Sequence, residues 1–154
     1  MIPTSQPLSP HRLARFVTKE TAALIFHLKP EQIYRIECWK NVVYVHGKGI
    51  SKFISYADFP PILGVEVPTE ADFSYWHKRW KKTQKPGKRN YAPSFWLQFF
   101  VYRFEQTASL TELYQWGELL AFVKFAFSIA TLEQLRDQYR LTFTRISKFL
   151  VVAS

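Results

Sequence analysis

The densest chemistry in this sequence is cationic. His77-Lys78-Arg79-Trp80-Lys81-Lys82 runs on through Lys85, Lys88 and Arg89 without an acidic residue. Such a run can neutralise several phosphates, and Trp76, Trp80 and Tyr91 supply rings that could stack on bases. Contacts of this kind give affinity and salt sensitivity but no choice of sequence. The bland alternative is a charged loop that keeps an aromatic-rich chain in solution. The formal charge of +9 on 154 residues tilts the balance toward a polyanionic partner. A second set of cations, Arg136, Arg140, Arg145 and Lys148, lies near the C-terminus.

Catalytic and metal-binding sets are harder to assemble. His11, His27, His46 and His77 are scattered without a pair at metal-ligand spacing, and Cys38 is the only cysteine. Cys38 with Glu37 and His46 could form a nucleophile and base across a hairpin, but a lone cysteine in a strand is more often a small core residue. Gly47-Lys48-Gly49 is too short for a phosphate-cradling loop and lacks the following Ser or Thr, so it reads as a turn. Glu37 and Glu105 could pair as carboxylates, although nothing in their spacing requires it. The expectation is a protein that is not an enzyme, with no cofactor and no metal.

The elements that position these residues follow from periodicity. Residues 11–28 predict a helix, with Leu13, Phe16, Val17, Ala23, Leu24 and Leu28 near helical spacing and Pro30 closing it. A β-meander follows: Ile33 to Trp39, a turn at Lys40-Asn41, Val42 to His46, the Gly47-Lys48-Gly49 turn, and Ile50 to Tyr56. Residues 77–93, with Pro86, Gly87 and Pro93, read as a basic linker or arm between residues 1–76 and 94–154. Leu110 to Ala130 is ambiguous. Leu113, Trp116, Leu120, Val123 and Phe127 suit a buried helix, whereas Gly117 and the run of Phe and Val favour a hairpin turning at Trp116-Gly117-Glu118. The balance falls narrowly on the hairpin. Thr131 to Tyr139 is a clearer helix that Thr131 can cap.

Ile33-Tyr34-Arg35-Ile36-Glu37 matches Val101-Tyr102-Arg103-Phe104-Glu105 in type at every position. The fold class expected is therefore α+β, with antiparallel β-hairpins and short helices, and the echo leaves room for two similar halves.

Near the end stands Phe143-Thr144-Arg145-Ile146-Ser147-Lys148-Phe149-Leu150-Val151-Val152. With Ser128, Leu132, Glu133 and Leu135 upstream, this segment resembles the LytTR family of bacterial DNA-binding domains, over residues 101–152. The serine and asparagine of that pattern are replaced by Phe149 and Ala153, and the sequence stops at Ser154 before the family's last strands. The resemblance implies promoter DNA as the partner, with Arg145 and Lys148 facing it and Arg136 and Arg140 in support. The same residues fit a helix-turn-helix with Arg140 to Thr142 as the turn. They fit equally a terminal amphipathic element that packs Ile146, Phe149 and Leu150 inward.

Composition bounds the rest. Hydrophobic residues make up 47% and aromatic residues 18%, enough for a packed core. One cysteine allows no internal disulfide, and Met1 to Ser9 has no apolar signal core, so a cytoplasmic setting is expected. Glu112, Glu118 and Lys124 interrupt the most apolar stretch, against a membrane span. DNA binding, with a part in transcription regulation, is the leading function. The alternative is a non-catalytic adaptor that binds a protein partner or forms a homodimer through exposed aromatics around Phe95-Trp96-Leu97-Gln98-Phe99-Phe100.

Overall fold

The computed structural model describes residues 11–83 and 91–153. A helical turn at Ala14–Phe16 leads to helix α1 (Lys19–Phe26), and strands β1 (Ile33–Cys38), β2 (Val43–Gly47) and β3 (Ile50–Ile54) follow. Helices α2 (Glu70–Thr83), α3 (Phe95–Gln106), α4 (Leu110–Phe122) and α5 (Ile129–Ala153) complete the order. The fold is α+β, with one three-stranded antiparallel sheet in the order β1-β2-β3.

The expected helix over 11–28 is broken in two. Thr18 sits in extended backbone and its side chain accepts the Thr21 N–H, which makes it the N-cap of α1. His27 ends α1 in the left-handed region at φ 58°. The meander forms where expected. Gly47 is required at its position, because a Cβ there would lie 2.7 Å from the Gln32 carbonyl oxygen.

Pairing fixes the two faces of the sheet. Val43 and Val45 point inward and are fully buried, while Glu37, Tyr44 and Phe53 stand opposite one another on the outer face, as do Arg35, His46 and Ser51.

The core is aromatic. Trp76 and Trp80 of α2 meet Trp96 of α3 edge to face, with ring centroids 5.4 and 5.2 Å apart. The Trp96 indole N–H donates to the Asp58 carbonyl at 3.1 Å. Trp96, Phe99, Phe100 and Phe104, at spacings of three, one and four, form the inner face of α3, and all are fully buried. Within the run 95–100, Trp96, Phe99 and Phe100 are thus core and Phe95 and Leu97 pack partly against it, so the aromatic surface expected there is largely turned inward.

Three other expectations are corrected. Residues 101–127 form no hairpin: Ser109 caps α4 by accepting the Glu112 N–H, and Leu113, Trp116 and Leu119 give it a buried stripe. The echo between 33–37 and 101–105 is not structural, since the first is strand and the second lies within α3. Arg140 to Thr142 forms no turn, because α5 runs unbroken from Ile129 to Ala153. The hairpin strands expected within Leu110 to Ala130 are therefore helices here.

Candidate nucleic-acid interface

Residues expected to lie in a linker belong to an amphipathic helix. Thr69 and Asp72 cap α2 reciprocally: the Asp72 N–H donates to Thr69 Oγ1 at 3.3 Å and the Thr69 N–H to Asp72 Oδ2 at 2.9 Å. Asp72, Trp76 and Trp80 then recur every fourth residue and are fully buried. Trp76 and Trp80 are consequently core residues and cannot stack on bases. Helix α2 crosses the expected boundary at residue 77 without a break.

Tyr75, Lys78, Arg79 and Lys82 share one stripe of α2, at spacings of three, four and seven. That stripe forms one wall of a cleft of about 190 Å³. Opposite it stand Asn41 from the β1–β2 turn and Ser55, Tyr56 and Ala57 from the turn after β3, with His11 and Leu13 at one end. No carboxylate lines the cleft, whose cations are Lys78, Arg79 and Lys82, and the Asp58 carboxylate is near enough to Arg79 for their charges to interact.

Its floor is fixed by local contacts. The Tyr56 hydroxyl donates to the Trp39 carbonyl, and the His11 ring stacks on Tyr56 with centroids 3.9 Å apart. His11 Nδ1 accepts the Leu13 N–H at 3.0 Å, which requires the neutral imidazole. Burial lowers the His11 pKa, with the Asp72 charge opposing. Burial raises Asp58, against the Ser55 backbone N–H and the charge of Arg79. The Tyr56 hydroxyl is pushed well above its ordinary value by burial and by neighbouring Cys38.

Comparison with known proteins finds no matching family model, no matching curated protein and no matching solved structure. The site has to be read from its own geometry.

Of the expected cations, Lys78, Arg79 and Lys82 come together in the cleft, and Lys81 is exposed on another side of the same helix. Lys85, Lys88 and Arg89 lie outside the described residues. The terminal set is dispersed. Arg136 and Arg140 line a separate groove of about 650 Å³ between α4 and α5, with Tyr114 and Glu118. Arg140 also pairs with Asp137 at 3.3 Å. Lys148 is exposed on α5.

Arg145 is tied to the end of α3. Its Nη2 donates to the carbonyls of Phe104, Glu105 and Thr107 at 3.2, 3.4 and 2.9 Å. These groups close the C-terminal end of α3, where carbonyls lack intrahelical donors and the helix dipole favours a cation. Thr142 Oγ1 donates to the same Phe104 carbonyl at 3.4 Å.

A nucleophilic set does not assemble. Strand alternation puts Cys38 on the inner face, opposite Val43, whereas Glu37 and His46 are on the outer face. Burial raises the Cys38 pKa, with a hydrogen bond involving Tyr56 opposing, which disfavours the thiolate. Among the described residues no group of three or more His, Cys, Asp or Glu is placed to hold a metal ion, and no helix is long and apolar enough to cross a membrane.

The cleft residues that sequence reasoning missed are His11, Tyr75, Asn41 and Ser55. The stripe of Tyr75 with Lys78, Arg79 and Lys82, set against Trp76 and Trp80, was the available signal.

Proposed function

We propose that this protein binds DNA inside the cell, and that the cleft between α2 and the strand ends seats the phosphate backbone. The observation that carries this reading is the convergence of Lys78, Arg79 and Lys82 on one side of a cleft without an acidic wall. Three cations held on one helical stripe concentrate the field that a charge of +9 supplies in diffuse form. Asn41 and Ser55 add neutral polar groups at the rim, suited to phosphate and sugar contacts. Arg145 is engaged by the end of α3, and the other terminal cations, Arg136, Arg140 and Lys148, are dispersed, so those three serve as secondary contacts. A part in transcription regulation is the proposal that the LytTR resemblance adds.

Charge reversal tests the placement. Electrophoretic mobility shifts of a labelled DNA are expected to vanish for Lys78→Glu/Lys82→Glu and to persist, somewhat weakened, for Arg136→Glu/Lys148→Glu. The opposite ranking would move the interface to α5. Binding by neither the wild type nor any variant at low salt would end the nucleic-acid reading.

A second reading has its own observation. Leu141, Phe143, Phe149 and Leu150 on α5 are 62, 40, 70 and 51% exposed, more apolar surface than one helix end ordinarily leaves in water. Self-association through α5 accounts for it, and a concentration-dependent mass in sedimentation that responds little to salt would be its signature.

A further inference from the structure

Among the described residues, the outer face of the sheet keeps several large rings exposed. Trp39, Phe53 and Tyr34 are 47, 53 and 56% exposed there. The rings form two groups: Trp39 lies 4.9 Å from Phe53 and Phe53 5.1 Å from Tyr44, while Tyr34 packs against His46 at 5.6 Å. Cross-strand ring pairs steady a small sheet, which explains Tyr44 opposite Phe53. It does not explain Trp39, which lies beyond the end of β1 and still leaves half its surface in water.

Trp39 and Phe53 are tied to residues that line the basic cleft. The Trp39 carbonyl accepts the Tyr56 hydroxyl that floors the cleft, Asn41 lies two residues past Trp39, and Ser55 lies two residues past Phe53. The rings are thus linked to the cleft that Lys78, Arg79 and Lys82 line through Tyr56, Asn41 and Ser55. Arg35, Lys40 and Lys48 are exposed on the same meander. The carboxylate of the face, Glu37, is already engaged by Arg35 at 2.7 Å and by the Trp39 indole N–H at 2.9 Å.

A partner that fits both parts carries regularly spaced negative charge and flat faces that can leave their own stack. Duplex DNA hides its base faces; an unpaired strand presents them. We propose that the outer face of the sheet, through Trp39, Phe53, Tyr44 and Tyr34, stacks the bases of single-stranded DNA whose phosphates lie along the α2 stripe. Several polar groups of the face engage one another, Tyr44 with Ser51 and Glu37 with Arg35 and Trp39. The choice of DNA follows the reading of the cleft, and the 2′-hydroxyl by which proteins select RNA is the group the test varies. The inference rests on the nucleic-acid reading of the cleft and specifies its ligand.

The test is anisotropy of the full chain with labelled oligo(dT) of about 16 nucleotides, a site size in the range of known single-strand binders. The same titrations are run with oligo(U) and a blunt duplex. Oligo(dT) is expected to bind most tightly. Trp39→Ala/Phe53→Ala weakens it about tenfold or more, as loss of stacking rings does elsewhere, and leaves duplex binding unchanged. Trp39→Phe/Phe53→Tyr retains binding, and Lys78→Ala/Lys82→Ala weakens both ligands. Equal affinity for duplex and strand, untouched by Trp39→Ala/Phe53→Ala, would overturn the stacking face and leave the basic cleft standing. Loss in Trp39→Phe/Phe53→Tyr as severe as in the alanine pair would also overturn it, by assigning the loss to the sheet. Tighter binding of oligo(U) would overturn the choice of DNA. No binding of any nucleic acid would remove both proposals.

Discussion

Arg15 and Asp72 lie 57 positions apart, and no local pattern joins them. The Asp72 side chain is fully buried and ion-paired with Arg15, whose guanidinium also donates to the Glu66 and Val67 carbonyls at 2.9 and 3.1 Å. Burial alone would raise the Asp72 pKa, yet hydrogen bonds from Arg15 and the Thr69 N–H bring it below its ordinary value. Removing one partner of such a pair strands the other, so Arg15→Met is expected to cost about 3 kcal/mol in chemical denaturation. Linkage gives the pH dependence. The unfolded chain takes up a proton on Asp72 near about pH 3.9, and the folded one only lower, so stability falls as pH drops through that interval. For His11 and His77, burial lowers both pKa values. Their unfolded forms protonate near about 6.5, so stability is full above that pH and declines as pH falls toward the folded values. The urea midpoint is therefore expected to be lower at about pH 5.5 than at 7.5; an unchanged midpoint would contradict both histidine environments. Arg145→Ala belongs at this scale too. Loss of its carbonyl contacts is expected to cost about 1–2 kcal/mol of stability while DNA affinity changes little, the reverse of the effect at Lys78 and Lys82.

Among elements, the meander was legible because β-branched runs alternate with turn residues, and the strands form within a few residues of the expected bounds. Residues 110–122 were not, because Gly117 was weighed as a helix breaker. Its reason is tertiary: a Cβ at Gly117 would lie 2.9 Å from Tyr139 Cε2, so the glycine admits the Tyr139 ring between α4 and α5. That ring also meets Phe104 edge to face at 5.7 Å. Gly117→Ala is expected to destabilise the protein despite a helix-propensity gain of up to about 1 kcal/mol. In a Tyr139→Ala background the same change is expected to stabilise, and a double-mutant cycle reads the sign reversal directly. Helix α2 was misread for another reason. The charge density of 77–82 has the pattern of a solvated arm, whereas the spacing of Phe73, Trp76 and Trp80 carries the helix through the basic run.

At the scale of the whole molecule, the α+β class follows from composition and pattern, whereas the aromatic core does not. Nothing local says that Trp76 and Trp80 meet Trp96, or that a five-residue echo takes strand form once and helix form once. The candidate site was legible as a stretch of charge and illegible as a cleft, since Asn41 and Ser55 reach it only through tertiary packing. Its central claim is that the α2 stripe makes phosphate contacts. The most direct measurement is the slope of log affinity against log salt for duplex DNA, wild type against Lys78→Ala/Lys82→Ala. Each phosphate contact contributes about 0.9 to that slope, so the double variant is predicted to flatten it by about 1.8. An unchanged slope, with binding intact, would contradict the placement of the interface on α2.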